Sequence, residues 1–266
     1  MPSYDPNGNE IGSGNGLNGL TISNTPPTGG YVLSSTGPLT AAWYLFFPEI
    51  MTYQIFNTPA TSQTYTPTSS DIKYIRVRMV AGGGSGGVGS ASNGGGGGAS
   101  GGYMEKLYSI QFVTYTYNVG TGGAAVFSSG SGNNGSNTDW NQSGGLNDSC
   151  LGGKGGEGSA NTQGGFNAPE PTLHAIGLDG TTNALYQCRG SSGGWGIGTI
   201  SIKGGGKGGD SPFGAGGQGG CSATALFRTT GEAGRGYGSG GGSSSDNSVG
   251  SGAGANGLII VEEYYY

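Results

Sequence analysis

Charge is scarce in this chain: only 9% of its 266 residues are Asp, Glu, Lys or Arg, and the net charge is −5. The Lys and Arg residues stand singly, so nothing supplies the phosphate-neutralising term that nucleic-acid binding needs, and no nucleic-acid partner is expected. Histidine occurs once, at His174, which rules out a two-histidine metal site. The three cysteines, Cys150, Cys188 and Cys221, lack metal-ligand spacing; three buried thiols and one disulfide with a free thiol both remain open. Long apolar runs are missing too. The longest, AAWYLFF at 41–47, falls far short of the ~20 residues that cross a bilayer. Residues 1–72 hold Asp5, Glu10, Glu49 and Asp71 but no Lys or Arg, so a soluble protein without a positively charged secretory signal is expected. At 32% hydrophobic residues, an ordinary globular core of matching size is not expected.

What the chain has instead is glycine, 64 residues of it. The stretch RMVAGGGSGGVGSASNGGGGGASGGYMEK (78–106) has few side chains to bury, and glycine loses the most backbone entropy on folding. On composition alone a flexible Gly/Ser linker is the competing reading. The spacing argues otherwise. In GGKGGEG, Lys154 and Glu157 stand three apart; Lys207 and Asp210 repeat the interval, as do Ala215, Gln218 and Cys221 in AGGQGGC. Three residues per turn is the repeat of the extended left-handed polyproline II helix, which has no internal hydrogen bonds. With glycine at two positions in three, neighbouring helices can bond laterally through their backbones. The runs are too short, broken and proline-poor for collagen.

Strand signals frame the glycine. Period-two patterns predict strands within 50–81, with Ile75, Val77 and Met79 on the core face, then within 103–119, and last at 257–264. The fold class expected is all-β with polyglycine II helices, a strand-framed glycine-rich sandwich at 50–266 preceded by a small β/turn module at 21–49. Residues 1–20 are polar and aperiodic, as an attachment peptide that orders on a partner would be.

Between the triplet runs lie polar segments studded with aromatics, at 133–151, 159–190, 191–203, 210–214 and 224–230. Rigid aromatics beside adaptable amides and hydroxyls are what binding loops use. The candidate contact residues are Trp140, Asn141, Phe166, His174, Tyr186, Trp195, Phe213, Phe227 and Arg228. The bland alternative for each aromatic is that it plugs a small core beneath its own loop. Catalysis, a metal site and a cofactor are not expected. No nucleophile-elbow context occurs, the G-x-G-x-x-G match at 84–89 lacks a following helix, and Glu262 and Glu263 would point to opposite faces of one strand.

QTYTP followed by IKYIRVRMVAGGGSGG, then GGASGGYMEKLYS, YTYNVGTGGA and GANGLIIVEEY, resembles the glycine-rich domain of bacteriophage tail fibres and related receptor-binding proteins. PPTGGYVLSSTGPLTAAWY is similar to a short module that often precedes such domains. More distantly, the chain resembles polyglycine-sandwich adhesins whose loops protrude between stacked glycine helices. The resemblance implies a tail fibre or spike protein exposed on the virion. Its partners would be a host outer-membrane protein or polysaccharide receptor and, through residues 1–49, other virion tail or fibre proteins; a homotrimer is compatible with it. Rivals are a purely structural decoration or joining protein, an ice-binding protein, and an enzyme degrading surface polysaccharide. The ice-binding reading would need a flat Thr or Ala row that the triplets lack. The enzyme would need a carboxylate pair across a groove.

Overall fold

The structure, a computed structural model, describes residues 3–4, 10–11, 21–22, 31–37, 40–45, 49–110, 114–143, 146–158, 172–173, 184–198, 202–224 and 227–265. All regular elements among them are strands. In chain order they are β1 (Ser3–Tyr4), β2 (Glu10–Ile11), β3 (Thr21–Ile22), β4 (Tyr31–Gly37), β5 (Thr40–Leu45), β6 (Glu49–Phe56) and β7 (Ala60–Tyr65). There follow β8 (Ile72–Val80), β9 (Tyr103–Ser109), β10 (Tyr115–Val119), β11 (Thr138–Gln142), β12 (Leu146–Cys150), β13 (Thr172–Leu173) and β14 (Ala184–Cys188). The last are β15 (Ile197–Gly198), β16 (Lys203–Gly204), β17 (Phe213–Ala215), β18 (Cys221–Thr224), β19 (Phe227–Arg228), β20 (Arg235–Tyr237) and β21 (Leu258–Tyr265).

Two five-stranded sheets, ordered β14-β9-β8-β21-β6 and β13-β12-β11-β10-β7, share one buried cluster. Alternation along β8 explains how. Ile75, Val77 and Met79 are fully buried, as their spacing predicts, while Arg76 and Arg78 on the other face pair with Glu105 and Glu262. Along β21, Ile259, Val261 and Glu263 point inward, so Glu262 and Glu263 do face opposite ways. Glu263 is completely buried with no cation beside it among the described residues; Tyr65 Oη (2.6 Å), Gln54 Nε2 (2.9 Å) and the Thr68 amide (3.1 Å) donate to it. These bonds fasten the β7–β8 connection to the last strand.

Residues 21–45 supply a three-stranded sheet, β3-β5-β4, and β1 pairs with β2. The remainder of the expected attachment peptide at 1–20 lies outside the described residues. All three cysteines are free thiols, but only Cys150 is buried; Cys188 is half-buried and Cys221 exposed.

The glycine runs are ordered by bonds to each other. From the run at 82–88, the amides of Gly82, Ser85 and Val88 donate to carbonyls of Ser136, Asn133 and Gly130; those of Gly83 and Gly86 reach Ala255 and Gly252; those of Gly84 and Gly87 reach Ala99 and Gly96. Every third residue therefore addresses the same neighbour. The run at 94–102 behaves alike: Gly94, Gly97 and Ser100 donate to segment 191–197, Gly95, Gly98 and Gly101 to 238–244, and Gly96, Ala99 and Gly102 to 151–157. Such bonds satisfy backbone groups that would otherwise cost about 1–3 kcal/mol each when buried. The approach leaves no room for a side chain. A Cβ on Gly98 would overlap the carbonyl oxygens of Gly84 and Ser85.

Candidate binding surface

A four-stranded sheet, β15-β16-β18-β19, lies outside the two main sheets. Its register places Gly198, Lys203, Ser222 and Arg228 in one row across the strands and Ile197, Gly204 and Cys221 in the next. Successive residues on a strand face opposite sides: in the first row Lys203 and Ser222 are covered while Gly198 and Arg228 stay exposed, and in the second Ile197 and Cys221 are exposed. The first row holds the charges. Asp246, 1% exposed, receives Arg228 Nε at 3.1 Å and Lys203 Nζ at 3.8 Å, while Arg228 Nη1 donates to Ser248 Oγ at 2.6 Å. Ser248 donates both its amide (2.9 Å) and its hydroxyl (2.6 Å) to Asp246 Oδ1. Burial alone would raise the Asp246 carboxyl, but the two Ser248 bonds and the Arg228 and Lys203 charges outweigh it and hold its pKa below the usual carboxylate value.

Because the charges are drawn in, the apolar neighbours are turned out. Ile197 is 70% exposed, Ile202 65% and Phe227 72%. Trp195, just before β15, is 73% exposed. Segment 191–197 is held by its glycines: Gly193 and Gly196 are buried against the run at 94–98, and the residues between them face solvent. A surface sheet ordinarily shows the reverse pattern, apolar in and polar out.

The candidate residues separate into groups. Trp195 and Phe227 stand on or beside this sheet, and Arg228 belongs to it but is spent on Asp246 and Ser248. Tyr186 is 56% exposed on the edge strand β14, with its ring 6.0 Å from Tyr103. Phe213 is half-buried, its ring 5.7 Å from that of Tyr103. Trp140 is a correction. It is fully buried, stacked 5.5 Å from Tyr115 and 6.1 Å from Tyr117, because segment 133–151 contributes the β11–β12 hairpin to a main sheet instead of a protruding loop. Asn141 is half-buried next to it, opposite Thr116 and Asn147. Phe166 and His174 lie outside the described residues.

Ile197 and Ile202 were not among the candidates. The signal that could have found them is GWGIGTISIK, where isolated apolar residues alternate with Gly, Ser and Thr. Among the described residues no three His, Cys, Asp or Glu side chains group as a metal site would require.

No curated protein matches the chain. A family model described as a glycine-rich domain matches residues 58–264, from just before β7 into β21, and the chain belongs to that glycine-rich domain family.

Proposed function

We propose that this chain is a bacteriophage tail-fibre or spike protein that attaches the particle to a host-cell surface receptor. In this reading the glycine runs are polyglycine II helices packed side by side, and the β15-β16-β18-β19 sheet is the contact surface. The period-three hydrogen bonding supports the helices, since a three-residue turn aims every third amide at the same neighbour. The observation that carries the functional reading is the inverted sheet, with Lys203 and Arg228 pulled onto Asp246 and Trp195, Ile197, Ile202 and Phe227 each at least 65% exposed. Exposed aromatic and aliphatic groups on a preordered support are what interface hot spots need, because little conformational freedom is lost on binding. Several copies on one particle add avidity to contacts that are weak singly.

The test is binding of fluorescently labelled protein to a panel of bacterial strains, comparing wild type with the combined variant Trp195→Ala, Ile202→Ser, Phe227→Ser. Strain-selective binding that disappears in the variant at unchanged melting temperature is the expected result. Absence of cell binding, with tight capture of another virion subunit by the same residues, would instead establish a structural joining protein.

A further inference from the structure

One charged pair joins the two main sheets through their shared core. Lys106 on β9 places Nζ 2.8 Å from Oδ2 of Asp148 on β12, and the two side chains are 11% and 1% exposed. A buried ion pair is stable when further hydrogen bonds satisfy its remaining polar atoms. That condition fails here. Asp148 Oδ2 takes both Lys106 and the Tyr108 hydroxyl, the latter at 2.6 Å, while Oδ1 is buried with no hydrogen-bond partner among the described residues. The surroundings are aromatic: Lys106 Nζ sits 5.0 Å from the centre of the Tyr108 ring, which packs 5.6 Å from Tyr115 and 6.3 Å from Trp140. An orphaned carboxylate oxygen beside an amine, in a pocket that excludes water, is an unusual thing to preserve in a core.

We propose that Lys106 and Asp148 are the reactants of an intramolecular isopeptide bond that ties the two sheets together. A proton passes from the Lys106 ammonium to Asp148 Oδ2, leaving an amine and a carboxylic acid, both cheaper to bury than the ions. The nitrogen lone pair attacks Cγ and the Cγ–Oδ2 bond breaks. Oδ2 departs as water, carrying the first proton and a second one from the nitrogen; the nitrogen keeps one hydrogen, and Oδ1 becomes the amide carbonyl oxygen. Charge and atoms balance without an oxidant or co-reactant. The Tyr108 hydroxyl, already donating to Oδ2, steadies the charge that gathers on the departing oxygen. The fold supplies the rest of the rate, because a bimolecular condensation becomes a reaction between groups already in contact. The aromatic walls keep bulk water from the product.

The intact mass of the purified, folded full chain decides the matter. Wild type is expected one water lighter than the sum of its residues. Proteolysis should release a branched peptide joining the Lys106 and Asp148 segments, and Lys106→Arg and Asp148→Ala should each carry the full mass. Tyr108→Phe should lower the converted fraction. Wild-type protein at full sequence mass after prolonged incubation overturns the proposal, and so does a water deficit that persists in Lys106→Arg, since that places the dehydration elsewhere. The wild-type measurement is decisive even if a variant fails to fold.

Discussion

Replacing Gly98 with alanine tests the idea that the glycine runs are a packed solid held by backbone contact. The added methyl would overlap the Gly84 and Ser85 carbonyl oxygens, which are main-chain atoms and cannot rotate away. The run at 82–88 must retreat, and the bonds between the two central runs, Gly84 N–H to Ala99 O (2.8 Å) and Gly87 N–H to Gly96 O (2.9 Å), are the first to stretch. Two buried pairs at about 1–3 kcal/mol each give a loss of about 2–6 kcal/mol. Removing a glycine from the unfolded chain returns only about 0.4–1 kcal/mol. Set against a total stability of about 5–15 kcal/mol, the net loss is large. The control is Gly204→Ala, where the nearest atom to the new methyl is Ile197 Cγ1 at 3.2 Å, on a side chain that can turn. Urea unfolding followed by tryptophan fluorescence should show a clearly lowered midpoint for Gly98→Ala and almost none for Gly204→Ala. Equal midpoints for the two variants would mean that the glycine runs yield like linkers, and the packing argument would fail.

Trp140→Ala removes the largest fully buried side chain and should lower stability by about 3–5 kcal/mol, read from the same unfolding curves. Acid should loosen the inverted sheet first: the Asp246 pKa is lowered in the folded protein, so its contribution is present above the ordinary carboxylate value of about 4 and is lost as pH falls through the lowered one. Amide exchange at 203–204 and 227–228 should rise in that window, and Asp246→Asn should remove the pH dependence. At the alkaline end, burial pushes Tyr103 and Tyr115 up to about 12 from the ordinary value near 10. Stability should therefore be intact below pH ~10 and fall between there and ~12, with ultraviolet titration showing delayed phenolate formation. A thiol reagent should label exposed Cys221 in the native protein but reach buried Cys150, whose thiol burial pushes up, only after unfolding.

The strands of the main sheets were legible because period-two alternation is a local signal. Ile75, Val77 and Met79 could be assigned to the core from IKYIRVRMV alone, and the opposite facing of Glu262 and Glu263 followed from adjacency. The period of three in the glycine runs was legible for the same reason. Which run bonds to which was not, since Gly84 meets Ala99 and Gly241 through contacts that no side chain encodes. Trp140 was misassigned through its neighbours: TDWNQ reads as polar loop until Thr138 and Trp140 are seen to share one face of a strand, with Asp139 and Asn141 on the other. The inverted sheet was hidden by distance. Arg228 looks free in sequence, and only Asp246, 18 residues on, shows where its guanidinium is held while Phe227 stays outside.

The position of β21 bears on how the protein is made. The strand lies between β8 and β6, pairing along its length with both, so two segments synthesised some two hundred residues earlier wait for a common neighbour. While translation is under way, neither flank has its hydrogen-bonding partner, and the apolar side of β8 lacks Ile259 and Val261. Closing so long a loop adds little entropy beyond a shorter one, but it delays the productive contact until β21 has been made. A chain without β21 is thus left with open sheet edges and an uncovered core, the features that invite aggregation. Placing β21 between β6 and β8 makes the closure of this sheet depend on a segment far along the chain.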